Sequence, residues 1–188
     1  MRQCRSRRAL LTAAMPFAVA IAGCSEGQHT SKENPDDSGI VSTAAYDCAD
    51  SDRPSPTLPD VEPEPYPSPP ASMSDGAGQY VLEFERAYRR NAFLEAYGSE
   101  TQTFDFQFRA RQLDDIGSDS DQEAVLVSIV YDLTTATQGV PASTERDTRV
   151  TYYVDENVVL RARYNGLANE PAFEPDPRDA GNPVVCFE

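Results

Sequence analysis

The sequence has one histidine, one lysine and no tryptophan, and the histidine, His29, stands in a polar stretch outside any apolar periodicity. A Ser-His-Asp triad, a histidine general base and a histidine metal site in a folded core are therefore excluded by inventory. Neither G-x-G-x-x-G nor a phosphate-binding loop pattern occurs, so no segment is built to cradle a nucleotide phosphate. The four cysteines contain no C-x-x-C spacing, which removes a thiol redox site and a zinc knuckle. The one long, largely apolar run, Ala9–Gly23, falls short of the roughly 20 residues a bilayer requires, so no mature transmembrane helix is expected. On these grounds no residue is assigned a catalytic role, and no cofactor or resident metal is expected.

The most informative feature present is the N-terminus. Arg2, Arg5, Arg7 and Arg8 precede the apolar run with no acidic residue among them, and Ile21-Ala22-Gly23-Cys24 closes it. A charged region, an apolar region and small residues before a cleavage point make residues 1–23 a signal peptide. Ser6-Arg7-Arg8-Ala9-Leu10-Leu11 resembles the twin-arginine export signal, and Ile21-Ala22-Gly23-Cys24 resembles the lipobox of lipoproteins. The resemblance implies that Arg7 and Arg8 direct export of a folded protein. It also implies that a two-chain lipid alkylates Cys24 and holds the mature chain on the outer face of the cell membrane. At about 0.8 kcal/mol per buried methylene, two chains form a firm anchor. An ordinary signal peptide or an uncleaved anchor is the plainer alternative.

Without residues 1–23 the chain has 12 basic and 31 acidic residues, a net charge of −19. Such a charge repels nucleic acid and an anionic bilayer in dilute buffer, so no nucleic-acid partner is expected. In molar salt the Debye length shrinks to about 3 Å, which screens the self-repulsion. High acid content with almost no lysine resembles proteins of salt-loving archaea, whose export relies heavily on the twin-arginine route. An acidic secreted bacterial protein is the alternative. With Cys4 lost and Cys24 lipidated, Cys48 and Cys186 remain, and a pair in an exported protein predicts one disulfide, two free thiols being the other outcome.

Residues 24–74 read as a disordered, lipid-anchored acidic tether, rich in Ser, Asp and Glu, with eight prolines between Pro54 and Pro70 favouring extended geometry. A globular domain is expected over 75–188. Ser72 and Asp75 have capping-box spacing, Gly98 is placed to stop a helix, and Ala77, Tyr80, Val81, Phe84, Ala87, Tyr88 and Ala92 form one apolar stripe between them. Glu85 and Arg89 fall on its polar side, four residues apart.

Period-two alternation then marks strands over Thr101–Gln112, Val125–Leu133, Val150–Val154 and Val158–Tyr164, with a looser connection over Thr134–Asp147 and an irregular tail from Gly166. The fold class is α+β, with one N-terminal helix packed on a four-stranded antiparallel sheet. This element order resembles the cystatin-like and nuclear-transport-factor-like folds, in which a curved sheet wraps a helix. No Gln-x-Val-x-Gly stretch occurs, so the resemblance implies no protease inhibition.

By alternation Arg109, Arg111, Arg161 and Arg163 point away from the helix, with Arg149 on the third strand, and form a candidate anion or partner patch. The plainer reading pairs them with Asp105, Asp132 and Asp155 as sheet support. Asp119, Asp121 and Glu123 alternate like calcium ligands but lack the glycine and distal glutamate of such a loop, so a solvated turn is the expectation. The functional expectation is a membrane-anchored, non-catalytic module that binds an unknown protein or small ligand. A hydrolase using paired carboxylates such as Asp105 and Asp132, or a structural envelope protein, is the alternative.

Overall fold

The computed structural model describes residues 39–59, 61–117 and 122–187. The leader with Arg7 and Arg8, the lipid acceptor Cys24, His29 and the turn acids Asp119 and Asp121 lie outside them.

Helix α1 spans Met73–Tyr97, where the apolar stripe requires it. The Ser72 hydroxyl accepts the Asp75 N–H at 3.4 Å, and Gly98, at φ 53°, turns the chain out while its N–H reaches the Leu94 carbonyl. Five strands follow: β1 (Thr101–Ile116), β2 (Ala124–Thr137), β3 (Val140–Val154), β4 (Val158–Arg163) and β5 (Asn182–Cys186). A four-residue helix, α2, Pro177–Ala180, precedes β5. All neighbours are antiparallel and the order is β1-β2-β3-β4-β5, a meander in which each strand lies beside its predecessor in sequence.

The four-strand expectation is corrected to five. β5 escapes alternation because Pro183 interrupts it and only Val184 and Val185 are aliphatic. Proline is tolerated there because an edge strand leaves one side of its ladder unpaired. Thr134–Asp147 is likewise a continuous hairpin rather than a loose connection, with Thr137 opposite Val140 across Gln138 and Gly139, the latter at φ 76°. Pro141 fits because β4 pairs only with residues 150–154 of β3, which leaves the first part of β3 as an edge. Where Tyr131 and Leu133 straddle a register shift, Asp147 takes a left-handed φ of 52°, and the Asp132 carboxylate accepts its N–H at 2.8 Å.

The sheet is covered on both faces. On one, Tyr80, Val81 and Phe84 of α1 pack against Val127, Ile129, Tyr131, Val150, Tyr152 and Val159. On the other, Leu126, Tyr153, Val158 and Leu160 are covered by Ile40, Val41, Tyr46 and Phe173 from the two ends of the described chain. Polar side chains tie these segments down. The Tyr153 hydroxyl accepts the Val41 N–H at 3.0 Å, Ser128 Oγ donates to the Ala172 carbonyl at 2.9 Å, and Thr151 Oγ1 donates to the Pro175 carbonyl at 2.6 Å.

From Gly39 onward, the segment expected as tether packs on the domain. Pro54 and Pro56 are buried, the Tyr66 ring sits 4.9 Å from that of Phe84, and Asn91 bonds both the N–H and the carbonyl of Glu64. Polyproline geometry keeps these residues extended, and Asn91 supplies the partners that an extended backbone lacks. The Cys48–Cys186 disulfide forms, with 5.9 Å between the Cα atoms.

Candidate functional site

Glu85 is the only acid on α1 with no exposed surface, and it lies under the sheet rather than on the polar side of the helix. Its carboxylate is saturated. Oε1 accepts from the Tyr131 hydroxyl at 2.6 Å and Arg161 Nη2 at 2.8 Å; Oε2 accepts from the Tyr152 hydroxyl at 2.5 Å and Arg161 Nε at 2.8 Å. That two-pronged contact is the strongest form of an arginine–carboxylate pair. Burial alone would push Glu85 up, but the Arg161 charge, its two bonds and the tyrosine hydroxyls together hold it below the ordinary carboxylate range. Burial, then the Glu85 charge, push Tyr152 and Tyr131 well above the ordinary phenol value.

Arg161 therefore faces the helix, which corrects the outward placement expected from alternation. β4 turns Val159 and Arg161 toward α1, and Val158, Leu160 and Ala162 toward the opposite face. Because apolar surface awaits on both sides, a strand with valine or leucine at successive positions does not declare its inner face. Arg163 follows Arg161 and reaches Glu145 at 2.9 Å, as does Arg89 of α1 at 2.8 Å. Arg111 also comes to the helix side, beside Gly78, because the register shift between Phe108 and Ala110 switches the faces of β1. Arg109 stays on the far face and binds Asp132 at 2.8 Å. Arg149, also on that face, stacks on Tyr164 with 4.2 Å to the ring centroid. The arginines thus do not share one patch.

Asp105 is exposed and accepts from Gln107 at 2.7 Å. Asp132 is engaged by the Asp147 N–H and then Arg109, which hold its carboxyl low. Among the described residues no His, Cys, Asp or Glu cluster is placed to hold a metal, and no helix is long and apolar enough to cross a membrane.

Above the buried pair lies a cleft of about 430 Å³, lined by Tyr46, Asp47, Asp52, Tyr88, Arg161 and Asn182 among others. Arg161 contributes to its wall, with the guanidinium stacked on Tyr88 at 4.3 Å and paired to Glu85 at 2.8 Å. The Asp47 carboxylate is partly committed, because it caps the Ala49 N–H at 2.9 Å. A wider depression of about 850 Å³ beside Pro69–Met73 is lined by Glu123, Glu156, Ser72 and otherwise apolar side chains, with no arginine in its wall. The 430 Å³ cleft is within the size range of small-ligand sites and carries the convergent polar groups that such sites use. Sequence reasoning missed it because Tyr46 and Asp52 stand in the presumed tether. The one available signal was Cys48 between them. No family model matches the chain, and no significant match exists among curated proteins or solved structures.

The Glu85 carboxyl sets an acid limit on stability. Its folded value lies below the unfolded value of about 4.3, so its contribution is complete above that pH and is lost as pH falls through the folded value. In urea titrations, wild-type stability should decline below about pH 4 more steeply than that of Glu85→Gln. Parallel acid limbs would show that Glu85 titrates no differently in the folded protein.

Proposed function

We propose that the chain is an exported lipoprotein, anchored through Cys24 on the outer face of the cell membrane, whose folded domain is a non-catalytic binding module for a small polar ligand. The observation that carries the binding assignment is the preformed cleft over Arg161. Arg161 in its wall is held in place, because the guanidinium is fastened to Glu85 and stacked on Tyr88, so little ordering of that side chain remains when a ligand enters. The buried acid beneath it has its four acceptor positions filled, which leaves it neither a free base nor a proton donor. The Cys48–Cys186 bridge agrees with an oxidising compartment, and the acidic surface with work in concentrated salt. Nucleic acid is an unsuitable partner for so negative a chain.

The test has two readouts. Cys24→Ser should lose its lipid and either leave the membrane fraction or remain unprocessed; normal processing with unchanged membrane retention would overturn the anchor. In a thermal-shift screen of small polar ligands in molar salt, wild-type protein should gain stability with a ligand, and Tyr46→Ala should remove that gain. If no ligand shifts the wild type, or Tyr46→Ala responds equally, the cleft is not the binding site.

A further inference from the structure

β1 pairs with β2 along Thr101–Ile116, and no described strand lies on its other side. At 16 residues it is about three times the usual strand length, whereas exposed edges are normally short because their unpaired N–H and C=O groups template pairing with another chain. Asp105, Gln107 and Arg109 are exposed on the face away from α1, and Phe108 is 43% exposed on the α1 side.

We propose that β1 pairs antiparallel with β1 of a second copy about a two-fold axis through Gln107, joining two five-stranded sheets into one. The register follows from charge and size. With Gln107 opposite itself, Asp105 stands opposite the partner's Arg109, and symmetry makes that pair twice on the outer face. Phe106 meets the partner's Phe108, again twice, on the helix face. Directly opposed side chains lie within about 4.5–5.5 Å, the separation at which opposite charges and aromatic pairs stabilise a ladder. Arg109 donates Nη1 to Asp132 while its side chain stays 53% exposed, so the guanidinium has further donors for a second carboxylate. Other axes are poorer: those at Phe106 and Phe108 give up both the Asp105–Arg109 and the Phe106–Phe108 pairs, one at Arg109 opposes that residue to itself, and one at Ala110 opposes Arg109 to Arg111 and Asp105 to Asp115. The register shift between Phe108 and Ala110 bends the strand there, so the new ladder is a short one over residues 105–109 of each copy. The contact is self-complementary, as a closed dimer requires.

Gln107→Cys in the full chain tests the axis directly. The bridge already consumes Cys48 and Cys186, so the new thiol is the reactive one among the described residues. Opposed residues in the proposed ladder are within disulfide reach, and mild oxidation should convert most of Gln107→Cys to a covalent dimer while Thr103→Cys stays monomeric. Light scattering of the wild type in detergent should give a dimer. Asp105→Arg should weaken dimerisation at least tenfold, and Asp105→Arg with Arg109→Asp and Asp132→Asn, the last removing the like charge beside the new carboxylate, should restore it by exchanging the charges. A monomeric wild type, preferential cross-linking at Thr103→Cys, or a folded triple variant that stays monomeric would each overturn the proposal.

Discussion

Glu85→Ala should lose about 3–5 kcal/mol of stability, which in a domain of ordinary stability brings the folded state close to collapse. The substitution strands the Arg161 charge, 11% exposed, and leaves the Tyr131 and Tyr152 hydroxyls without their shared acceptor. Because Arg161 borders the cleft, water can reach part of the guanidinium, so the lower half of that range is expected. Replacing both partners, as Glu85→Leu with Arg161→Met, should recover only part of the loss: no charge is orphaned, but the Tyr131 and Tyr152 hydroxyls still lack their acceptor. Urea unfolding of the three proteins in high salt decides the matter. A loss below 1 kcal/mol for Glu85→Ala would mean that the pair is not buried as described.

Removing the Cys48–Cys186 bridge should have an effect of similar size through a different route. The bridge spans 138 residues, and the chain-entropy ceiling for so long a loop is near 5 kcal/mol, with measured losses of about 2–5. Cys48→Ser with Cys186→Ser should therefore lower the unfolding midpoint strongly. The damage should start locally, because β5 is a five-residue edge strand and the segment around Cys48 is tied to it by the Asp52 N–H on the Pro183 carbonyl at 3.2 Å. Hydrogen exchange in the variant should speed up first at β5 and residues 43–53, while β2 keeps its protection. Uniform acceleration across the sheet would show that the bridge holds the whole fold rather than one corner. Loss of that corner also opens the cleft, since Tyr46 and Asp52 flank Cys48, so ligand stabilisation should vanish with the bridge.

Local periodicity was sufficient for α1 and for the core-facing parts of β1 to β4. Ser72, Gly98 and the stripe from Ala77 to Ala92 mark the helix, and alternation over Phe104–Ala110 marks the first strand. These signals are legible because each reflects one element meeting one face of core. The candidate site was not legible in the same way. Glu85 occupies a helix position that reads as polar surface, and Arg161 a strand position that reads as outer face. Only the approach of α1 to β4 turns both inward and lets each neutralise the other.

The pairing of the two leftover cysteines followed from inventory, and with it the closing of the chain's ends. That the segment from Gly39 onward would pack on the helix and the sheet did not follow from composition. Its own residues carry few apolar groups, and its order comes from distant partners such as Phe84, Asn91 and Tyr153. By itself, then, the sequence determined the α+β class, the helix and the run of the main strands, because those depend on contacts between residues a few positions apart. Which face of β4 carries charge, where the fifth strand lies, and whether a cleft exists above Arg161 were decided by the tertiary structure. Each depends on groups far apart in the chain, whose desolvation is offset only once they meet.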